Sequence, residues 1–248
     1  RFHAIYWPAF LMAAGLELPK TIMAHGWWTN EGEKISKSLG NVINPFELAE
    51  EFGVDQVRYF LMREITFGND GNFARENLVA RSNSELANKI GNLLQRTTSF
   101  IYKNCNKKVP DVDSSYIDEI YDSEIFKKLL YVVKDNLVQM ESFNINKVLD
   151  NIIYMVEQAN MYIDKEAPWV LRKSDPIKMN KVLYMLLELL RYIAIMMQPF
   201  TPSSAGKMLN QLNIAEDQRG FCYLNKEFAM KPDSEIGKPK PIFPRLEK

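Results

Sequence analysis

Two rhythms of apolar residues divide this chain. From about Arg75 onward they recur every three or four positions, the spacing that lines one face of an α-helix. Leu86, Ile90, Leu93, Thr97 and Phe100 or Ile101 form one stripe; Ile125, Leu129, Val133, Leu137 and Met140 a second; Leu149, Ile152, Ile153, Val156 and Ile163 a third. A fourth helix starts at Ser174 or Asp175 with Pro176 at its first position and runs to Pro199. Its most apolar stretch, Val182 to Met197, is shorter than the roughly 20 residues of a bilayer span and is interrupted by Glu188 and Arg191, so it reads as a buried helix. Four amphipathic helices predict a bundle. A short helix is expected beyond Thr201, and the tail from Gln218, rich in proline, is expected to be extended and folded back on the domain.

Before Arg75 the pattern is mixed. Phe2 to Leu16 predicts a helix carrying Pro8, and Lys20 to Trp28 predicts a short buried strand closed by a Thr29-Asn30-Glu31-Gly32 turn. Pro45 to Phe52, with Asn44 as its cap, and Asp55 to Glu64 predict two short helices. Phe67 to Phe73 is turn-rich and reads as the joint between the mixed part, 1–73, and the helical part, 74–248. The fold class expected is therefore mainly α, with a smaller α/β portion ahead of a helical bundle.

Composition narrows what such a fold does. Of 248 residues, 46% are hydrophobic and 25% charged, which is globular and not disordered. Thirty-one basic against thirty-one acidic residues leave no overall charge, so any contact with nucleic acid must come from a local patch. Cys105 and Cys222 lack a CxxC spacing, and His3 and His25 make no HExxH, so neither a zinc site nor a disulfide framework is expected, and the two lone thiols read as cytoplasmic.

The sharpest chemical feature is Lys34-Ile35-Ser36-Lys37-Ser38-Leu39-Gly40-Asn41. Two ammonium groups, two hydroxyls and a following glycine can surround a phosphate chain, although the spacing is not that of a P-loop. The alternative is a solvated surface loop. On the first long helix, Asn92 and Arg96 stand at i and i+4 and project from one face. Arg81, Lys89, Arg96, Lys103, Lys107 and Lys108 stand against Glu85 alone and read as a local basic patch, or else as a solvated charged face.

These residues carry a family resemblance. The Lys34–Asn41 segment resembles the KMSKS loop of class I aminoacyl-tRNA synthetases, with Ile35 at the usual Met position. Arg1 to Ala9, Gly68-Asn69-Asp70-Gly71-Asn72-Phe73, Ala167-Pro168-Trp169 and Pro241 to Arg245 resemble the methionyl-tRNA synthetases in particular. The resemblance spans essentially the whole chain. It implies the C-terminal part of a Rossmann-type catalytic domain followed by a helical anticodon-binding domain. It further implies that Lys37 stabilises charge on the phosphates as pyrophosphate leaves, and that Lys34, Ser36 and Ser38 position the same chain. His3 and Trp7 are then expected at the methionine pocket; otherwise His3 is a core histidine. Asn92, Arg96 and Trp169 are expected to read the anticodon, Trp169 by stacking from a break between helices, where bundle-end packing is the alternative. The partners implied are tRNA(Met), L-methionine and ATP, with Mg2+ accompanying ATP as substrate. No His-x-Gly-His occurs in the chain, so it is expected to be a fragment that does not activate methionine alone. Another class I synthetase, or a non-catalytic helical scaffold, is the competing reading.

Overall fold

A computed structural model describes residues 1–247; Lys248, the last residue of the predicted helical part, lies outside the described residues. The chain opens with a π-turn, Phe2–Tyr6, running into α1, Trp7–Ala13, with Pro8 in the first turn, where a missing N–H costs nothing. No residue of either segment is buried. The expected buried strand over Lys20 to Trp28 is not formed. Residues 20–27 are irregular, Ile22, Met23 and Trp27 are exposed, and only Trp28–Asn30 makes a strand, β1. An apolar run becomes a strand only where a neighbour takes up its backbone groups, and pairing here begins at Trp27, whose carbonyl accepts from Gly71 N.

Strand β1 turns back through Glu31 and Gly32 into β2, Glu33–Lys34. Both turn residues have positive φ, 51° and 85°, the primed geometry that matches strand twist. After a short 3-10 turn at Lys37–Leu39 come α2, Pro45–Phe52, and α3, Val54–Glu64, with Asn44 Oδ1 accepting from Phe46 N as the expected cap. The turn-rich Phe67–Phe73 segment holds a strand: β3, Gly71–Phe73, lies parallel to β1 and gives the sheet order β2-β1-β3. A small core of Leu48, Phe52, Val57, Phe60 and Phe73 extends into α4, Arg75–Arg81, through Leu78 and Val79.

The helical part follows without a break. A π-helical stretch, Ser82–Gly91, leads into α5, Asn92–Asn104, and the first predicted stripe is buried along it apart from half-buried Phe100. Helix α6, Ser114–Asp122, was not expected; Asp113 caps it by accepting from Tyr116 N. In α7, Glu124–Glu141, the buried face is Phe126, Leu129, Val132, Val133 and Asn136, while Leu137 and Met140 are exposed. A stripe drawn in steps of four drifts about 40° per step around the helix, which carries its far end into solvent. The third stripe is buried throughout α8, Ile145–Glu166.

Trp169 lies not in a break but in the first turn of a short helix, α9, Pro168–Ser174. Helix α10, Pro176–Met197, starts under Asp175, which caps it, and every residue from Val182 to Met197 is buried. It is the central post of the bundle, packed by α5, α7, α8, α9 and α11, Pro202–Gln211. Its two buried charges form a closed pair: Arg191 Nη2 meets Glu188 Oε2 at 2.8 Å, Tyr121 and Met230 N donate to Glu188, and Arg191 donates to the carbonyls of Tyr223 and Asn225. A buried pair is tolerated only when its remaining hydrogen-bonding capacity is met, and here the tail meets it. The tail folds back as expected. Ile236, Ile242 and Phe243 are buried, and Asn83 holds the backbone of Leu246 at both its N–H and its carbonyl.

Candidate functional site

The loop after β2 is shaped by polar bonds and not by packing, since none of residues 33–41 is buried. Ser36 Oγ accepts from Ser38 N at 3.3 Å and shares a 2.7 Å hydrogen bond with Ser38 Oγ. Gly40 takes a left-handed φ of 68° and its N–H donates to the Lys37 carbonyl, a conformation that favours glycine. Lys34, Ser36, Lys37 and Ser38 are thus brought onto one short segment, and among the described residues neither lysine has an acidic partner. Two unneutralised ammonium groups beside two hydroxyls suit a polyanion.

The Gly68–Phe73 motif braces this hairpin. Asp70 Oδ1 accepts from Trp27 N at 2.7 Å, and Asn72 Oδ1 accepts from Gly32 N at 2.7 Å and from Thr29 Oγ1 at 3.0 Å. A Cβ at Gly26 would lie 2.0 Å from the Asn69 carbonyl, so the two backbones meet where only glycine fits. The asparagine and aspartate of this motif show in the sequence as turn residues; that they reach across 40 to 43 positions to the hairpin does not.

His3 and Trp7 share an open concavity of about 440 Å³ with Phe2, Tyr6 and Phe10. Both are exposed, and among the described residues no side-chain hydrogen bond or ion pair joins Phe2–Ala13 to the loop. His3 is on the surface of this chain and not in its core.

At the far end of the bundle the helices form a ledge. Asn92 is exposed and lines a depression of about 500 Å³ with Asn88, Gln95 and the returning tail at Phe243 and Arg245. One turn further, about 6 Å along α5, Arg96 lines a second depression, of about 270 Å³, with Phe100, Lys103, Pro168 and Trp169. The Arg96 guanidinium lies 5.4 Å from the Trp169 ring centre, and the indole is 44% exposed. Ala167, at φ 44°, joins α8 to α9 in a left-handed conformation that non-glycine residues adopt only at some cost, and this reversal sets Trp169 at the bundle end. All three predicted residues therefore share one outward-facing surface.

The expected basic patch is largely neutralised. Arg96 pairs with Asp164 at 2.6 Å, Lys89 with Glu157 at 2.6 Å, Lys108 with Asp233 at 3.8 Å, and Arg81 with both Glu64 and Glu85. Lys103 and Lys107 have no acidic partner among the described residues. A charge run read along one helix misses acids that α3, α8 and the tail bring against it.

Between loop and ledge lies a buried polar joint. Glu85 accepts from Tyr59 at 2.6 Å and from Arg63 at 3.1 Å, and Arg63 also meets Asp150 at 2.8 Å. Burial raises the Glu85 pKa, but the hydrogen bonds from Arg63 and Tyr59 outweigh it and hold the carboxyl below its ordinary range. Its contribution to stability is therefore full above the ordinary carboxylate pKa and is lost as pH falls through the depressed one. Asp55, on α3, accepts from Ser204 N at the start of α11. Among the described residues no group of three or more metal-binding side chains occurs, and no helix is long and apolar enough to cross a membrane.

The chain matches two known families in series. Residues 1–98 match the class I tRNA synthetase (M) family, and residues 116–247 match the anticodon-binding domain of methionyl-tRNA ligase. A methionine–tRNA ligase of Rickettsia bellii is 64% identical over 247 residues, covering 100% of this chain and 48% of that relative. One from Rhizobium meliloti is 45% identical over 250 residues, covering 99% and 47%. Among solved structures, a Mycobacterium tuberculosis methionyl-tRNA synthetase in complex with methionyl-adenylate is similar with a TM-score of 0.90 and 40% identity, covering 99% of this chain and 48% of that one. The chain spans about half the length of the curated relatives it matches. Its anticodon-domain match covers more than half of its residues, and a class I synthetase match precedes it, so the chain belongs to the methionyl-tRNA ligase family.

Proposed function

We propose that this chain supplies two working parts of a methionine–tRNA ligase, which activates L-methionine with ATP and esterifies the product to tRNA(Met). The single observation that carries the reading is the common ledge of Asn92, Arg96 and Trp169, which puts two base-edge donors and a half-exposed indole on one surface of a bundle whose residues 116–247, Trp169 among them, match an anticodon-binding domain. Splayed bases of a single-stranded loop are recognised by such pairings of aromatic faces and polar side chains. Residues 1–73 carry the loop and 74–248 the bundle, with α4 as the connector that packs back on the first part.

In the activation step Lys37 acts on the leaving pyrophosphate, an electrostatic role that water-exposed but unpaired ammonium groups can fill once ATP, with its Mg2+, closes the site. Lys34, Ser36 and Ser38 bind the same phosphates, and His3 and Trp7 border the methionine site. The presence of methionyl-adenylate in a similar structure supports this assignment of substrates. The setting is the cytoplasm.

Equilibrium binding of tRNA(Met), and of the same tRNA with an altered anticodon, by the 248-residue chain tests the reading. The unaltered tRNA is expected to bind more tightly; equal binding of the two removes the anticodon role. A second class I specificity is set aside by the match of residues 116–247 to the methionyl domain in particular.

A further inference from the structure

The cationic loop has no apolar anchor, so its shape must come from hydrogen bonds, and three converge on one side chain and its own carbonyl. Asn41 Oδ1 accepts from Ser36 N at 2.8 Å, Asn41 Nδ2 donates to the Lys34 carbonyl at 3.0 Å, and the Asn41 carbonyl accepts from Asn30 Nδ2 at 3.0 Å. The orientation of the amide is fixed by its partners, because a flipped amide would set donor against donor at Ser36 and acceptor against acceptor at Lys34. One side chain therefore joins the descending arm of the loop to its ascending arm at two points, and the third bond ties the neck to β1. Between these points lie only the 3-10 turn that starts at Lys37 and the two serine hydroxyls.

We propose that Asn41 is the positioning residue of this loop: it closes the neck so that Lys34 and Lys37 are held toward the phosphates before ATP arrives. The inference rests on the reading of the loop as a phosphate clamp. Asn41 touches no reacting atom and acts through the backbone of Lys34 and Ser36. With the amide removed, Ser36 N and the Lys34 carbonyl are left to water, and the lysines must be ordered at the moment of reaction. Misplacement of a catalytic group by about 1 Å can cost about a hundredfold in rate.

The test is methionine-dependent ATP–pyrophosphate exchange by the complete ligase polypeptide that contains this chain, with Asn41→Ala, Lys37→Ala and the double variant. Asn41→Ala is expected to lower kcat about 10- to 100-fold, with KM for methionine and affinity for tRNA(Met) unchanged. The double variant is expected to be slower than Lys37→Ala by much less than the factor Asn41→Ala costs alone, since most of what Asn41 positions acts through that lysine and only the weaker part through Lys34. Asn41→Asp keeps the acceptor for Ser36 N and loses the donor to Lys34, and should fall between; it carries the same cycle if Asn41→Ala does not fold. Wild-type exchange by Asn41→Ala, with exchange lost in Lys37→Ala, overturns the positioning role and leaves the loop reading standing. Losses that multiply in the double variant also overturn it, since they mark a merely structural role. Wild-type exchange by Lys37→Ala overturns the loop reading itself.

Discussion

The loop and the ledge both present positive charge, but they hold it differently. Among the described residues Lys34 and Lys37 have no acidic neighbour within ion-pairing distance, and the loop beneath them is built from neutral amide and hydroxyl bonds. Arg96 is already paired with Asp164 and stacked over Trp169. An uncompensated ammonium attracts any dense anion and gains most when charge develops on it, whereas a paired and stacked guanidinium has little net charge to offer a phosphate and offers instead a fixed plane and directed N–H groups. The difference separates electrostatic catalysis from shape-and-edge reading.

The largest expected effect breaks the comparison at the loop. Lys37→Ala in the complete ligase should lower the rate of methionine activation about 10²- to 10³-fold, roughly 3–4 kcal/mol of transition-state stabilisation, while affinity for tRNA(Met) stays the same. Pyrophosphate exchange alongside tRNA binding measures both. Equal losses in the two would mean that the two regions are not separable.

At the ledge the effect is smaller and of the other kind. Trp169→Ala should weaken binding of tRNA(Met) by about 1–3 kcal/mol, the usual worth of one base stacked on an aromatic ring, and a tRNA with an altered anticodon should bind the variant and the parent similarly weakly. Quantitative binding to the two tRNAs decides it: a uniform loss for both would make the indole a packing residue.

How far the sequence revealed this arrangement depends on the range over which each feature is encoded. Local signals were legible. Asn44 before Pro45 and Asp175 before Pro176 start helices where expected, and the stripes on α5 and α8 face inward because periodicity records burial directly. The family motifs placed Lys37, Asn92, Arg96 and Trp169 on candidate sites without revealing their partners. What stayed hidden lies in pairings between distant segments. Asp164 neutralises Arg96 from a helix 68 positions away, and Asn72 reaches Gly32 across 40. Neither contact leaves a local pattern. The exposed stretch at residues 20–27 shows the same limit from the other side: an apolar run signals a wish to be covered but not what covers it.

The smallest effect sharpens the comparison. Asp164→Asn removes the acid that faces Arg96 while keeping the side chain's size. Asp164 is well exposed, so the pair contributes about 0–1 kcal/mol to stability and the melting temperature should barely move. What should change is the character of RNA binding. A released guanidinium can neutralise one more phosphate, which steepens the dependence of log Kobs on log salt by about 0.7 for a single-stranded segment. At the same time an Arg96 drawn to the backbone is less available to a base edge, so the preference for tRNA(Met) over a tRNA with an altered anticodon should shrink, because phosphate contacts add affinity to both alike. Binding isotherms for the two tRNAs across a salt series read both quantities. If the slope and the preference stay where they were, the Asp164 carboxylate does not restrain Arg96, and the contrast between a free loop charge and a paired ledge charge loses its physical basis.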